Sequence, residues 1–156
     1  MIAISSRPAV TPQNWVTISF ASTLYLSPIL DLLLESIPVA WQAEIRLGLQ
    51  EALVNAAKHG NDLDPSKTVV VRFAVIHNQY RWVIADEGAG FTPPCECNLD
   101  PDACDQITEG RIFPQECGRG LFILYQIFDQ VEWNAEGTEL TLCKDIKNRF
   151  RLPLVR

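Results

Sequence analysis

The chain shows two periods of apolar residues, and each period predicts a different kind of secondary structure. Five segments alternate apolar with polar residues or consist mostly of β-branched and aromatic ones, which predicts strands. These segments are residues 15–21, 68–76, 80–85, 131–134 and 139–144. Residues 77–79 and the region around Gly137 are typical of tight turns, so the second and third strands, and the fourth and fifth, are predicted to pair antiparallel.

Three other segments place apolar residues three and four positions apart, which predicts helices with one buried face. These segments are residues 29–37, 39–59 and 118–129. Ser27 and Pro28 are typical of the N-cap and first turn of a helix, Pro38 ends the first helix, and Gly60-Asn61 ends the second. The predicted buried positions are Ile29, Leu32, Leu33 and Ile37 in the first helix, Trp41, Ile45, Leu49, Ala52 and Ala56 in the second, and Leu121, Leu124, Tyr125 and Phe128 in the third.

The order of these elements predicts an α+β fold, because the strands outnumber what the helices can separate in a parallel, doubly wound sheet. We expect a two-layer sandwich in which helices cover one face of a mixed, mostly antiparallel sheet. Residues 1–14, rich in Ser, Pro and Thr, predict a flexible N-terminal tail, and residues 15–156 a single domain. Residues 95–117 carry little periodicity, and a segment of that length within a compact domain is typical of a lid or a binding loop.

Composition and charge narrow the functional class. Apolar residues make up 47% of the 156 residues, which is typical of a globular domain. A formal net charge of -6 argues against binding to a nucleic-acid backbone, which needs a basic surface. The chain carries neither a secretory signal nor an apolar run of the roughly 18 residues that span a membrane. We therefore expect a cytoplasmic protein that does not contact membranes.

Four of the five cysteines lie in one segment, at positions 95, 97, 104 and 117, and the fifth is Cys143. Without a secretory signal, a disulfide scaffold is disfavoured. The spacing of Cys95 and Cys97 differs from the paired spacing of common zinc sites, so reduced thiols in a loop are the simpler interpretation and a metal or redox site is the alternative.

Glu51 and Asn55 lie four residues apart in the second predicted helix, so they share one face of it. A carboxylate at the edge of a cleft can accept a proton from a hydroxyl group, and an amide oxygen can ligate Mg²⁺, which prefers oxygen ligands. Taken alone, the same pattern is common on ordinary solvated helices.

Two glycine-containing segments follow. Asp86 stands at the end of a predicted strand, before Gly88 and Gly90, and two glycines so close together permit a close approach of a ligand to the backbone. An aspartate in that position can accept a hydrogen bond from an exocyclic amine, although a plain glycine turn is the alternative. The segment Gly118 to Leu121 opens a predicted helix, where free N–H groups bind phosphate, but a lone G-x-G is weak evidence by itself.

In this order and spacing, EALVNAAKHGN, DEGAGF and GRGLFIL resemble the N, G1 and G2 boxes of the GHKL ATPase superfamily. The short distances between the boxes, and the single strand and helix before the first, resemble the small bacterial anti-sigma-factor serine kinases in particular. The resemblance covers roughly residues 47–144, and the three boxes together are far more specific than any one of them.

The resemblance implies a role for each matching residue. Glu51 is expected to be the general base, Asn55 a ligand of Mg²⁺, and Asp86 the residue that recognises adenine. The residues expected to shape the nucleotide pocket or hold the phosphates are Gly88, Gly90, Gly118, Arg119, Gly120, Leu121 and Thr138. Residues 92–117 are expected to be the ATP lid. Family members of this type bind a sigma factor, phosphorylate a serine on an anti-anti-sigma (STAS-type) partner, and often act as homodimers.

The sequence departs from the family pattern at one point. Many relatives carry a basic residue just before the G-x-G-L segment, where this chain has Glu116 and Cys117, and Arg119 lies within the segment itself. A lid cation stabilises the transferring phosphate, so its absence bears on phosphate transfer rather than on ATP binding. The alternatives are thus an ATP-binding regulatory module with little kinase activity and a detached histidine-kinase-like catalytic domain.

Overall fold

The computed structural model describes residues 3–5, 14–91 and 115–146, and for residues 3–5 and 115–119 it describes the backbone only. The strands are β1 (Ala3–Ser5), β2 (Val16–Ala21), β3 (Thr68–Ile76), β4 (Gln79–Ala85), β5 (Gln130–Trp133) and β6 (Glu139–Asp145). The helices are α1 (Ser27–Leu34), α2 (Val39–Val54) and α3 (Gln115–Ile127), and a π-helical turn, Asn55–Gly60, continues α2.

The six strands form one sheet in the order β1-β2-β3-β4-β6-β5, and every pairing among them is antiparallel. The α+β class and the antiparallel hairpins are therefore confirmed, and the described strands contain no parallel pair. β1 pairs with β2 through Ala3 and Ser19, so the segment expected to be a flexible tail contributes an edge strand.

Alternate strand residues point to the helices and form the core. Trp82 at the centre of β4 has no exposed surface; its ring stacks on that of Phe73 and meets Phe128, which follows α3, edge to face at 5.6 Å. The helices contribute leucines and isoleucines to this core, including Leu33, Ile45, Leu49, Leu53 and Leu124. The helices thus cover one face of the sheet, as predicted.

The first helix differs from its prediction in bounds and in face. α1 begins at Ser27 rather than after it, and Leu26 precedes it without a side-chain cap, so the N-cap role predicted for Ser27 is wrong, although Pro28 does lie in the first turn. Leu30 and Leu34 are buried while Leu32 is 42% exposed. The reason is that Ile29, Leu30, Leu33 and Leu34 share one face of the helix, and Leu32 lies outside that face.

The second helix keeps its predicted buried face but not its regular geometry. Ile45, Leu49, Ala52 and Ala56 are buried, and Trp41 packs against the core in part. From Asn55 the chain widens into a π-helical turn in which the Asn61 N–H donates to the Ala56 carbonyl, five residues back, at 2.9 Å. Such turns are rare and occur frequently at functional sites.

The far end of α3 is fastened by a buried lysine on β6. Lys144 is 4% exposed, and its Nζ donates to the carbonyl oxygen of Ile127, the last residue of α3, at 2.5 Å. The same Nζ lies 4.9 Å from the centre of the Trp41 ring and 3.8 Å from Glu44 Oε1. A cation at a helix C-terminus interacts favourably with the helix dipole, so Lys144 holds α3 against α2 and the sheet.

Cys143, next to it on β6, points to the opposite face of the sheet because side chains alternate along a strand. Its thiol is 1% exposed and lies beside Arg81, its partner in register on β4. No helix among the described residues is long and apolar enough to cross a membrane.

Candidate functional site

Glu51 and Asn55 lie one turn apart where α2 passes into the π-helical turn, and both side chains are half-buried. The Asn55 backbone N–H is shared between the carbonyls of Ala52 and Glu51, three and four residues back, and the π-helical turn begins at this residue. The two side chains therefore extend from the point where the helix changes its geometry.

Gly120 of α3 lies directly against this pair. A β-carbon built on Gly120 would stand 3.0 Å from Glu51 Oε2 and 3.6 and 3.8 Å from the amide nitrogen and oxygen of Asn55. Two of the predicted motifs, far apart in the sequence, thus meet at one point, and a glycine is what leaves space between them.

Asp86 follows β4, and its carboxylate lies against Gly60, the last residue of the π-helical turn. Its backbone N–H donates to the Thr138 carbonyl at 3.0 Å, and its Oδ1 accepts a hydrogen bond from the Gly88 N–H at 2.8 Å. A β-carbon on Gly60 would lie 2.6 Å from both carboxylate oxygens. Gly60 therefore has to be a glycine for the Asp86 carboxylate to lie against the end of the π-helical turn.

Burial raises the pKa of Asp86 above its ordinary value of 3.8, because a half-buried carboxylate loses part of its hydration. The hydrogen bond from the Gly88 N–H and the positive charge of Lys67 act in the opposite direction, but more weakly. A carboxylate that water solvates poorly gains more from a donor group on a ligand.

The two other glycines of this loop also have a steric reason. A β-carbon on Gly88 would collide with the Gly60 carbonyl oxygen, and one on Gly90 with the Glu136 carbonyl oxygen. Gly90 also has a φ of +78°, in the left-handed region that favours glycine. The Asp86 loop is thus packed backbone to backbone between the helix end and the β5–β6 turn.

Thr138 borders the same loop, where its Cγ2 would lie 3.3 Å from a β-carbon on Gly90. Asn134 orients it: the Asn134 Nδ2 donates to Thr138 Oγ1 at 3.1 Å, and the Asn134 Oδ1 accepts from the Thr138 N–H at 2.9 Å. Because the hydroxyl accepts from Asn134, its own hydrogen can be donated to a ligand. The sequence analysis did not single out Asn134, whose only signal was its place four residues before Thr138.

A second positioning residue that the sequence analysis did not single out is Asn61. It was predicted only to end a helix, yet its side chain is fully buried and its amide bonds to three different segments. A polar residue just after a helix end gives no indication in the sequence that it will be buried.

The segment predicted to bind phosphate begins differently from its prediction. Because α3 starts at Gln115, the free N–H groups of its first turn include those of residues 115–117, whereas Gly118, Gly120 and Leu121 lie within the helix. Leu121 is 8% exposed and packs into the core. The side chain of Arg119 lies outside the described residues, as do residues 92–114 of the predicted lid.

The oxygen atoms near Gly120 fit a magnesium ion that is held mainly by a nucleotide. Mg²⁺ takes one or two protein oxygens together with phosphate and water, and Asn55 Oδ1 and Glu51 Oε2 lie near the same point. Within the described residues, no group of three or more His, Cys, Asp or Glu side chains could hold a metal ion. The cysteine-based alternative concerns Cys95, Cys97, Cys104 and Cys117, whose side chains lie outside that part of the chain.

Residues 33–144 match a family model described as a histidine kinase-like ATPase domain. The chain is also similar to the serine-protein kinase RsbW of Bacillus subtilis (strain 168), with 27% identity over 107 residues, which are 65% of this chain and 62% of that protein. The RsbW of Bacillus licheniformis is 28% identical over 115 residues, 70% of this chain and 67% of that protein. The chain thus spans less than two thirds of the Bacillus subtilis protein.

The matched residues contain all three motifs as well as Thr138, and the fold is the one that those motifs imply. The resemblance to the GHKL ATPases and to the anti-sigma serine kinases is confirmed at the level of the family. The chain belongs to the histidine kinase-like ATPase domain family.

Proposed function

We propose that this protein is a cytoplasmic, ATP-binding anti-sigma regulatory factor that phosphorylates a serine or threonine of an anti-anti-sigma, STAS-type partner. The observation that carries the proposal is the meeting of Glu51, Asn55 and Gly120 at one point, where a β-carbon on Gly120 would come within 3.0 Å of Glu51 Oε2. The names of the two relatives, each a serine-protein kinase, support the class of acceptor.

The adenine of ATP is recognised by the Asp86 carboxylate, which accepts a hydrogen bond from the 6-amino group. Thr138 lies beside Asp86 and donates its hydroxyl hydrogen to the base, and Gly88 and Gly90 shape the pocket because they let the loop pack against the backbone of Gly60 and Glu136. Adenine carries its amine at the position where guanine has a carbonyl oxygen, so the carboxylate selects adenine.

The phosphates lie between α2 and α3. The free N–H groups at the start of α3 face them, and Gly118, Arg119, Gly120 and Leu121 complete this side. Asn55 Oδ1 ligates the Mg²⁺ that accompanies ATP, and the ion neutralises charge on the phosphates when it is bound.

Glu51 acts in the transfer step. The carboxylate accepts the proton of the acceptor hydroxyl. At the same time the hydroxyl oxygen forms a bond to the γ-phosphorus, and the bond from that phosphorus to the β-phosphate oxygen breaks, which releases ADP. The partner is then a phosphoester. The sigma factor is bound by the nucleotide-loaded form of the protein, which functions as a homodimer without contact to nucleic acid or membranes.

The test is to incubate the purified protein with γ-labelled ATP and a panel of anti-anti-sigma proteins. An acid-stable phosphoester on the partner is expected. An acid-labile product would support the histidine-kinase-like alternative. ATP and sigma-factor binding without any transfer would support the binding-module alternative, which the presence of Glu116 and Cys117 before the G-x-G-L segment favours.

Two substitutions separate chemistry from binding. Glu51→Ala is expected to lower turnover by about 100-fold or more while ATP still binds, because a general base matters in the transition state. Asn55→Ala is expected to weaken Mg-ATP binding itself, measured by calorimetry with and without Mg²⁺. If both variants retain wild-type binding and transfer, this helix is an ordinary amphipathic one and the assignment fails.

A further inference from the structure

The side-chain amide of Asn61 makes three hydrogen bonds. It is fully buried, and its Nδ2 donates to Ser22 Oγ at 2.8 Å and to the Thr68 carbonyl at 3.1 Å. Its Oδ1 accepts from the Glu87 N–H at 2.7 Å. One side chain thereby joins the end of β2, the start of β3 and the loop that contains Asp86.

We propose that Asn61 is a positioning residue for nucleotide recognition, which fixes the Asp86 carboxylate in the orientation that distinguishes adenine from purines without a 6-amino group. The inference rests on the proposed function of Asp86 and adds the residue that makes its selectivity possible.

Asn61, Thr68 and Glu87 form a closed ring of hydrogen bonds. Asn61 donates to the Thr68 carbonyl, the Thr68 N–H donates to Glu87 Oε2 at 2.6 Å, and the Glu87 N–H donates to Asn61 Oδ1. Each residue of the ring restrains the other two. The ring therefore fixes the backbone of residue 87 relative to the start of β3.

Backbone hydrogen bonds hold residue 86 on both sides. The Asp86 N–H is bonded to the Thr138 carbonyl, and the next N–H along the chain, that of Glu87, is bonded to Asn61. These two bonds restrain φ and ψ of Asp86, and the bond from the Gly88 N–H to Oδ1 restrains its side chain. Without Asn61, the Glu87 N–H loses its hydrogen-bond partner, and the peptide after Asp86 is restrained less.

The contact between Gly60 and Asp86 adds a steric restraint. Gly60, immediately before Asn61, lies against the Asp86 carboxylate, with 2.6 Å between a β-carbon at Gly60 and either oxygen. The π-helical turn brings residues 60 and 61 to this place together, so the same turn that packs against the carboxylate also carries the amide that orients it. A displacement of a few tenths of an ångström changes a hydrogen bond to a ligand more than it changes the packing of the core.

The experiment measures selectivity rather than affinity alone. The dissociation constants of ATP and of purine riboside triphosphate, which lacks the 6-amino group, are determined for the wild type and for Asn61→Ala. A single well-made hydrogen bond to a charged group gives the wild type a preference for ATP of roughly 10- to 100-fold. Asn61→Ala is expected to bring this preference close to onefold, mainly by weakening ATP binding.

Two control variants distinguish positioning from a loss of stability. Val69→Ala removes buried volume in β3, next to Thr68, without touching the ring, and is expected to lower stability while keeping the wild-type preference. Ser22→Ala removes one partner of Asn61 but leaves the bond to Glu87, and is likewise expected to keep the preference. If Asn61→Ala does not fold, Asn61→Ser is used, because its hydroxyl is too short to reach the Glu87 N–H.

The outcomes separate this inference from the function on which it depends. If Asp86→Asn abolishes the preference and the Asn61 variants keep it, Asn61 has only a structural role and the inference is wrong. If Asp86→Asn itself keeps the preference, adenine is read elsewhere and the proposed function of Asp86 fails. Loss of the preference in the Asp86 and Asn61 variants, with both controls unchanged, supports the inference.

Discussion

At the scale of single residues, Asp86 is in a position that suits a ligand better than it suits the fold. Its carboxylate is half-buried and packed against Gly60. The hydrogen bond from the Gly88 N–H compensates only in part for the hydration that the carboxylate loses. Functional carboxylates are often found with raised pKa values for this reason. The folded protein therefore carries a small cost of ionisation that a bound adenine amine would offset.

We predict that Asp86→Asn raises the free energy of unfolding at neutral pH although it weakens ATP binding by roughly 1–3 kcal/mol. The amide can still accept from the Gly88 N–H, and it has no charge to desolvate. Because the pKa of Asp86 is raised in the folded state, its ionisation destabilises the folded protein as the pH rises from 3.8 through the folded pKa. Urea denaturation of both proteins over a pH series measures the difference.

The stability difference between variant and wild type is expected to vanish below pH 3.8, where Asp86 is protonated in both states, and to reach its full size above the folded pKa. All other titrating groups are common to the two proteins and cancel in the comparison. A difference that does not change with pH would show that ionisation of Asp86 is not what destabilises the wild type.

The sequence allowed the site residues that lie in motifs to be predicted, but not those that hold them in place. Asp86, Gly88 and Gly90 are recognisable because their spacing is local. Asn61 is the last residue of the segment EALVNAAKHGN, but no local pattern reveals its bond to Glu87, 26 residues away. Asn134 lies close to Thr138 in sequence, but an asparagine near a turn is too common to indicate this role.

At the scale of elements, the two helices that frame the site approach each other through glycines at both ends. Gly120 faces Glu51 and Asn55 at the site, whereas Gly48 faces the aromatic ring of Phe128 in the core. A β-carbon on Gly48 would lie 2.5 Å from Phe128 Cε2 and 3.0 Å from Cζ. The same substitution at the two glycines therefore tests two different functions of one helix pair.

We predict that Gly120→Ala lowers phosphate transfer by about tenfold or more while stability is kept or rises. The added methyl group displaces the Glu51 carboxylate, and small displacements of a reacting group reduce rates strongly. Alanine also favours a helix over glycine by about 1 kcal/mol. Single-turnover transfer and thermal unfolding measure the two effects.

Gly48→Ala is the matched control and is expected to behave in the opposite way. Overpacking against Phe128 should lower stability by about 1–3 kcal/mol, with the ATP dissociation constant unchanged. If Gly120→Ala transfers phosphate at the wild-type rate, Glu51 does not need its observed position.

Element bounds show why the helices were predicted less well than the strands. The period of apolar residues located α2, but periodicity does not distinguish the last α-helical turn from the π-helical turn Asn55–Gly60. In α1, eight residues with apolar side chains at most positions leave the buried face ambiguous, and the structure buries Leu30 and Leu34 where the pattern predicted Leu32. The β3–β4 turn was simpler, since His77 and Asn78 both adopt positive φ and make a two-residue turn.

At the scale of the whole molecule, the sequence predicted the class and the hairpins but not the strand order. β6 lies between β4 and β5, and this insertion depends on contacts between segments separated by the predicted lid. The edge strand β1 has only three residues, too few for a period of two to be recognised. Both features depend on the rest of the sheet as a template.

At the same scale, the rate at which the buried thiol of Cys143 is alkylated reports on unfolding. This cysteine lies on the far side of a central strand and is 1% exposed, and burial raises the pKa of the thiol, so little thiolate forms while the sheet is closed. Alkylation of this residue is therefore expected only when β4, β5 and β6 separate, which is close to complete unfolding. Peptide mass spectrometry reports Cys143 separately from the four other cysteines, so its labelling rate at low reagent concentration gives the unfolding equilibrium in native buffer.

The labelling rate of Cys143 therefore also measures ligand binding. A nucleotide that binds only the folded protein at 100 times its dissociation constant slows the labelling of Cys143 by about 100-fold, whereas Gly48→Ala accelerates it by about tenfold for each 1.4 kcal/mol of stability lost. Labelling that is fast and indifferent to both changes would mean that the β4–β6 edge opens locally. In that case the sheet would not be a single cooperative unit. The backbone amides of β4, the strand that precedes Asp86, would then exchange with solvent while the rest of the fold stays closed.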